Sequence, residues 1–257
     1  MLFRSLLTVG IGLRDVTSVL LTHIHLDHAG ATGTLVRENP RLRVYVHEIG
    51  APHMIDPSRL VSSATRLYGD DMDRLWGEFL PVPEEAIEIL KGGERLQVSG
   101  RTLDVMYTPG HASHHVSYFS ADTGLAFVGD TAGVRLVSDG FVLPPTPPPD
   151  IDYALWYQSL AAIERWGPDT LFLTHFGAHP SAPTVLAEMR DHMRVLESVA
   201  RESLGRDELD SAREAWFCDR VGQALRKRLR EEDARAYEVA GRLDLSWRGL
   251  ARYLRKR

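Results

Sequence analysis

The segment Thr22–Gly30 places three histidines and an aspartate within six residues, directly after an apolar run. The four side chains are His23, His25, Asp27 and His28. Neutral imidazole nitrogen and carboxylate oxygen bind Zn²⁺ and similar divalent cations at about 2.0–2.2 Å. The segment therefore predicts a metal site. The alternative is a cluster of solvated loop histidines that binds no cation.

The spacing within this segment favours two cations rather than one. His23 and His25 are two positions apart, so in extended backbone both rings project to the same side and can bind one cation. Asp27 and His28 lie where a helix is expected to begin, and we expect them to point elsewhere, toward a second cation.

Three later segments with strand-like character end in a histidine or an aspartate. They end in His111 on a Pro-Gly turn, in Asp130 after the apolar stretch 124–129, and in His175 after 169–174. A strand end is a place from which a rigid scaffold can present a ligand. Taken alone, Asp130 would be a turn aspartate that caps the following segment.

The motif THIHLDHAG at Thr22–Gly30 resembles the signature of the metallo-β-lactamase superfamily. This resemblance implies an α+β fold, the four-layer αββα metallo-β-lactamase-type sandwich, with a dinuclear metal site at one edge. It also implies a complete ligand set, which consists of His23, His25, Asp27, His28, His111, Asp130 and His175.

The resemblance divides these ligands between two cations. His111 joins His23 and His25 at the first, and His175 joins Asp27 and His28 at the second. Asp130 bridges the two cations with its two carboxylate oxygens. The neighbouring His114 and His115 are expected to orient other groups, because imidazoles close to a metal commonly do so.

Apolar periodicity indicates the elements that must position these residues. A strand is predicted at 17–21, a helix at 29–38 and a second strand at 43–46. The segment 48–80 has broken helical periodicity and reads as an inserted helical region. From 86 to 107 the period changes to two, which predicts successive antiparallel strands.

Two domains are expected, a metallo-β-lactamase-like catalytic domain at 1–189 and a C-terminal helical appendage at 190–257. A short helix is predicted at Phe3–Val9, where superfamily members normally carry two or three strands. We therefore expect an N-terminally shortened member or a late start assignment. The appendage resembles those that cover the site or pair subunits, so a homodimer through the C-terminal helices is open.

Charge and composition limit the classes of partner. Residues 1–189 contain 13 Lys and Arg against 22 Asp and Glu, which disfavours a nucleic-acid groove there. The one cysteine, Cys218, permits no intramolecular disulfide and reads as a half-buried structural thiol. No apolar run approaches the ~18 residues that cross a bilayer. We expect a cytoplasmic protein without a membrane partner.

Three side chains are candidates for substrate contacts. Tyr68 and Trp76 could line a wall beside the metals, although aromatics at helical spacing are more often core residues. Arg135 could bind an anionic substrate group, and a surface salt bridge is equally compatible with its position. The proline-rich run 144–149 cannot be a helix interior and is expected to lie extended over the surface.

The expected activity is hydrolysis of a small ester, thioester or lactone by a metal-bridging hydroxide, similar to the glyoxalase II-like branch. Asp27 is the expected proton carrier. The cofactor is expected to be two divalent cations, with zinc favoured over iron or manganese. Alternatives are a mono-iron sulfur oxygenase on the same fold, a phosphodiesterase, and a binding module without catalysis. The last would be expected to have lost ligands.

Overall fold

A computed structural model describes residues 6–137 and 141–257. The chain forms two compact units, which divide between Tyr107 and Thr108. The predicted helix at Phe3–Val9 begins among residues outside the described part. Each unit has a hydrophobic core of its own.

The first unit contains a parallel sheet in the order β1-β2-β3. Its strands are β1 (Ser18–Leu20), β2 (Arg43–His47) and β3 (Ile87–Leu90). Parallel neighbours need crossover connections, and between β1 and β2 these are the short helices α1 (Leu26–Ala29) and α2 (Thr32–Glu38). Both strands were predicted close to their observed positions, whereas the single helix predicted at 29–38 is observed as two helices, α1 ending at Ala29 and α2 beginning at Thr32.

The predicted antiparallel arrangement is wrong for β3, which pairs in parallel with β2. Alternation of apolar residues shows that a strand has two different faces, but it does not say which neighbour the strand joins. Only β4 (Arg95–Val98) and β5 (Arg101–Tyr107) form the expected antiparallel hairpin. Their turn residues Ser99 and Gly100 have φ values of 49° and 76°, as a type I′ turn requires.

The inserted helical region between β2 and β3 is confirmed. It contains α3 (Ala51–Ile55), α4 (Ser58–Tyr68) and α5 (Met72–Leu75). Short helices of this kind are stabilised by packing of one apolar face rather than by length. Met54 on α3 is fully buried in the core of the first unit.

Among its described residues, the second unit contains four strands, β6 (Val116–Ser120), β7 (Leu125–Gly129), β8 (Thr170–Leu173) and β9 (Gly177–Pro180). β7 pairs antiparallel with β6 and parallel with β8, and β9 pairs antiparallel with β8. Ala126 and Val128 alternate along β7 with fully buried side chains, and Leu171 and Leu173 do the same on β8. This strand face packs into the core of the second unit.

The described part of the second unit also contains five helices. They are α6 (Tyr153–Trp166), α7 (Ala182–Leu204), α8 (Asp210–Arg226), α9 (Glu231–Gly241) and α10 (Leu243–Arg255). The predicted apolar face of α7 is buried, and it shares one core with β7, β8 and the later helices. The predicted domain boundary at 189 lies within α7, and the division into two domains stays a prediction. No helix among the described residues is both long and apolar enough to span a bilayer.

The expectation of a surface path for the proline-rich run is wrong for its first half. Thr146 is fully buried, and its hydroxyl donates a hydrogen bond of 3.1 Å to the carbonyl of Ser246 on α10. Gly249, one turn further along α10, lets the helix approach so closely that an added Cβ would overlap the Thr146 carbonyl oxygen. The packing of helix α10 on this extended segment cannot be predicted from the sequence of either element alone.

Replacing Gly249 with alanine should destabilise the second unit, because the new methyl group meets backbone that cannot move aside. We expect a loss of about 1–3 kcal/mol in the free energy of unfolding, measured by urea denaturation. Gly205→Ala is the matched control, since φ is −75° there and its added Cβ would meet only ordinary contacts. Equal effects of the two substitutions would contradict the close packing on Thr146.

Cys218 is half-buried on α8, as predicted. Burial, with smaller contributions from nearby carboxylates, raises the pKa of its thiol from 9.0 to about 11. Only the thiolate reacts with disulfide reagents, so at pH 8 the folded protein should react about 100-fold more slowly than the protein unfolded in guanidinium. Absorbance during labelling with an aromatic disulfide measures both rates, and similar rates would contradict this assignment.

Candidate metal centre

In the first unit, the predicted ligands cluster where β1 leads into α1. Leu21 and Ile24 are buried and anchor the connecting segment, while His25 is the N-cap residue of α1 with extended backbone (φ −58°, ψ 152°). His23 is fully buried, and its ring centroid lies 4.6 Å from that of His25. These two imidazoles therefore lie together, as their spacing predicted.

The other two residues of the motif lie on α1 itself. His28 lies beside Asp27, as expected for a pair at a second cation, and its ring centroid also lies 3.9 Å from that of His23. Asp27 Oδ2 lies 3.3 Å from His28 Nε2, and 37% of the Asp27 side chain is exposed. The first unit thus presents three adjacent imidazoles and one solvent-accessible carboxylate.

In the second unit, His111 is held in one orientation and one tautomer. The preceding Gly110 has a φ of 133°, and any Cβ there would collide with the backbone of Trp156. His111 is buried, and its Nδ1 lies 2.8 Å from the carbonyl oxygen of Pro145. A carbonyl only accepts, so Nδ1 carries the hydrogen, which leaves the lone pair of Nε2 available for a cation.

Asp130 follows β7 and presents its two oxygens to two different histidines. Oδ2 lies 3.5 Å from His111 Nε2, and Oδ1 lies 3.6 Å from His175 Nε2. Both distances exceed those of good hydrogen bonds. Two donor atoms bound to one cation at about 2.1 Å in tetrahedral geometry lie about 3.4 Å apart, so this spacing fits a carboxylate that bridges two cations.

His175 lies at the tip of the β8–β9 hairpin. Leu173 pairs with Gly177, so three residues form the loop, and positive φ values of 73° at Phe176 and 101° at Gly177 close it. The His175 side chain is 30% exposed. The hairpin places this candidate ligand two residues beyond the end of β8, which agrees with the predicted position.

His115 supports Asp130, as expected for a histidine that orients other groups. Its Nε2 accepts a 3.3 Å hydrogen bond from the backbone N–H of Asp130, and its Nδ1 lies 2.9 Å from the hydroxyl of Thr108. Thr131 is fixed in turn, because its carbonyl accepts a 2.7 Å hydrogen bond from the indole N–H of Trp156. Buried polar groups therefore fix the backbone on both sides of the Asp130 carboxylate.

The sequence interpretation missed four of these supporting residues: Thr108, Thr131, Pro145 and Trp156. The two threonines are close to predicted ligands in the sequence, so hydroxyl groups beside ligand motifs were a usable signal. Pro145 acts through its backbone carbonyl, 34 residues from His111. No signal in the sequence indicates that contact.

The three candidates for substrate contacts have partners of their own. The half-buried rings of Tyr68 and Trp76 meet edge to face, with centroids 5.3 Å apart. Arg135 is buried, and its guanidinium lies 2.9 Å from a carboxylate oxygen of Glu188 on α7. Of the two interpretations of Arg135, the structure provides the salt bridge, although a largely buried one. A substrate contact stays a prediction for all three.

The predicted ligands carry the donor chemistry that a metal requires. Among the described residues, the histidine and carboxylate side chains that could hold a metal ion are these seven: His23, His25, Asp27, His28, His111, Asp130 and His175. Imidazole nitrogen with carboxylate oxygen suits zinc, iron and manganese, so the ligand types alone do not select among them. The fold and these residues define the class, an α+β protein with a set of His and Asp ligands at strand ends.

Comparison with known proteins identifies the family. Residues 1–175 match the family model described as the metallo-beta-lactamase superfamily, and the chain belongs to that superfamily. Two solved structures share its fold. The metallo-beta-lactamase family protein TTHA1429 from Thermus thermophilus has a TM-score of 0.67 at 22% identity. The match covers 99% of this chain and 79% of TTHA1429. ST1585 from Sulfolobus tokodaii has a TM-score of 0.62 at 22% identity, and the match covers 91% of this chain and 79% of ST1585. The predicted αββα fold class is thereby confirmed.

The curated relatives match this chain over only part of their own length. The metallo-beta-lactamase fold-containing protein ST1585 of Sulfurisphaera tokodaii is 28% identical over 70% of this chain and 67% of its own. A hydroxyacylglutathione hydrolase of Synechococcus is 30% identical over 46% of this chain, and only 35% of that enzyme is covered. The probable metallo-hydrolase YqgX of Bacillus subtilis is 30% identical over 44% of this chain and 48% of its own. The chain thus spans less than half the length of the relatives named as hydrolases.

Thr108→Val tests the support of Asp130. The substitution removes the hydroxyl that contacts both His115 Nδ1 and Ser117 Oγ, each at 2.9 Å, from a fully buried position. We expect a loss of about 1–3 kcal/mol in the free energy of unfolding and a lower affinity for zinc, measured by denaturation and competition with a chelator. Thr65→Val, on the exposed face of α4, is the control. Unchanged zinc affinity would show that this network does not position the carboxylate.

Proposed function

We propose that this protein is a dinuclear metal-dependent hydrolase of a small ester, thioester or lactone. The observation that carries the proposal is the placement of Asp130, with a histidine Nε2 at 3.5 Å from one carboxylate oxygen and another at 3.6 Å from the other. Membership of the metallo-beta-lactamase superfamily and the names of the partly matched relatives support the choice of hydrolysis.

The proposed arrangement combines the ligand sets of the two units. One cation would be held by His23, His25 and His111, the other by Asp27, His28 and His175, with Asp130 shared. Two bound cations would supply Lewis acidity, which lowers the pKa of water toward about 7 and polarises the substrate carbonyl oxygen. We favour zinc for both, and iron or manganese fits the same donors.

Proton transfer is assigned to Asp27. A general base must be reachable from the reacting water, and the Asp27 carboxylate is the exposed one beside the imidazole cluster of the first unit. His111 would keep its hydrogen on Nδ1 throughout, because the Pro145 carbonyl can only accept it. No serine or cysteine nucleophile is needed, which agrees with the raised pKa of the only cysteine, Cys218.

The remaining assignments concern substrate, partners and location. We propose a small-molecule substrate contacted by Tyr68, Trp76 and Arg135, and no nucleic-acid or membrane partner. The acid excess of residues 1–189 supports a small substrate over a polyanion. A homodimer through the C-terminal helices and a cytoplasmic location complete the proposal. The presence of a single cysteine is compatible with a reducing compartment.

Metal content and substrate class can be tested together. Elemental analysis of the purified protein should give about two equivalents of zinc, iron or manganese. A panel of p-nitrophenyl esters, thioesters and lactones should be hydrolysed faster than bis-p-nitrophenyl phosphate. One equivalent of iron with oxygen uptake would instead indicate the mono-iron oxygenase. Preferential hydrolysis of the phosphate diester would indicate a phosphodiesterase.

Asp130→Ala should abolish turnover, because it removes the carboxylate proposed to be shared by both cations. Circular dichroism should remain close to that of the wild type, and bound metal should fall by at least one equivalent. Asp122→Ala, at an exposed position in the β6–β7 turn, is the matched control and should retain activity and metal. Full turnover by the Asp130 variant would refute the dinuclear mechanism.

A further inference from the structure

A cavity of about 230 Å³ lies between helices α7 and α8 in the second unit. Its walls are largely apolar and include Val195, Leu196 and Val221, and Phe141 contributes an aromatic surface. An adjoining cavity of about 340 Å³ shares Phe141 and Val195 with it. Val195 is 46% exposed, so this apolar surface is open to solvent on one side.

Three cationic residues surround the same cavity: Arg220, Lys227 and Arg228. None of them forms an ion pair with a carboxylate among the described residues. The carboxylates that line the adjoining cavity are already engaged, Glu188 with Arg135 and Asp191 with Arg194. An excess of positive charge therefore borders an apolar cavity.

Arg228 is held in place by uncharged groups. Its guanidinium donates a 3.0 Å hydrogen bond to His192 Nε2 and lies 5.9 Å from the ring centroid of Phe141. His192 Nδ1 lies 2.8 Å from the carbonyl of Val142 and must donate to it, so Nε2 is the acceptor and the imidazole is neutral. His192 also stacks on Phe141 at 3.6 Å, which fixes both rings. The arginine is thus preorganised, and within the described part of the chain no carboxylate is paired with it.

The C-terminus of helix α8 partly compensates the charge of two of these cations. Lys227 is the C-cap residue of α8, and Arg228 follows it, so both meet the partial negative charge at the end of the helix. That partial charge is only about half an elementary charge. Arg220 lies well inside α8, and its charge is not offset in this way. The excess of positive charge at the cavity remains.

We propose that the α7–α8 cavity binds an aliphatic carboxylate, with its carboxylate against Arg228 and Lys227 and its alkyl chain between Val195, Leu196 and Val221. Arginine pairs with carboxylates through two parallel hydrogen bonds, and the apolar walls exclude a fully polar anion such as phosphate from most of the cavity. A chain of about eight carbons fills a volume of this order. The proposal does not depend on hydrolytic activity.

Octanoate is the probe, and isothermal titration calorimetry with the full-length protein is the measurement. Octanoate should bind with a one-to-one stoichiometry, and octylamine and octanol should bind at least tenfold more weakly. Within the series from butanoate to octanoate, each added methylene should raise the affinity about threefold to fourfold as it enters the apolar region. Equal binding of octylamine and octanoate would overturn the proposal, as would no heat of binding for octanoate at millimolar concentration.

Matched variants locate the binding. Arg228→Gln and Lys227→Gln together should weaken octanoate binding at least tenfold, whereas Arg252→Gln, at an exposed site on α10, should leave it unchanged. Val195→Glu places a negative charge in the cavity and should abolish binding. Val239→Glu, at a position 76% exposed on α9, is its control. If both cavity variants fold like the wild type and still bind octanoate within twofold, the ligand binds elsewhere and the proposal is wrong.

Discussion

Placing a carboxylate inside the second unit is the constraint on which the candidate site depends. Asp130 is only 4% exposed, and burial of a charged carboxylate is costly unless other charges or hydrogen-bond donors stabilise it. Two imidazole nitrogens face its two oxygens, and in the neutral tautomer set by the Pro145 carbonyl the Nε2 lone pair of His111 is directed at the carboxylate. Two lone-pair donors facing each other repel, and cations between them would turn this repulsion into attraction. The donor geometry is therefore more favourable with metal than without it.

The same constraint explains why so many uncharged groups surround Asp130. Metal ligands must be held within a few tenths of an ångström, and side chains alone rarely achieve this. Here the backbone is fixed by His115 on one side and by the hydrogen bond from Trp156 to Thr131 on the other. The backbone of Trp156 also packs closely on Gly110, so one buried tryptophan positions the segments that carry the candidate ligands His111 and Asp130.

The candidate ligands could be picked out from the sequence because they lie near the ends of short apolar segments, and this local signal does not depend on which strands pair. The pairing of the strands was harder to predict from the sequence. β3 alternates like an antiparallel strand, yet it pairs in parallel with β2, since the crossover region between them returns the chain in the same direction. The burial of Thr146 and the contact of Pro145 with His111 depend on segments 34 or more residues away. Contacts made through backbone carbonyls cannot be predicted from residue type, because every residue has such a carbonyl.

Two kinds of arginine in the C-terminal helices differ in what holds their side chains. Arg201, Arg213 and Arg235 pair with carboxylates one turn away on their own helices, and such exposed pairs contribute little more than helix stability. Arg228 is held instead by a neutral imidazole and an aromatic ring, which fix its position without neutralising its charge. Asp130 is likewise fixed by uncharged neighbours through its backbone. A side chain whose position is fixed by uncharged groups can offer its charge to a ligand, which is what the proposed carboxylate site requires of Arg228 and what a structural ion pair does not provide.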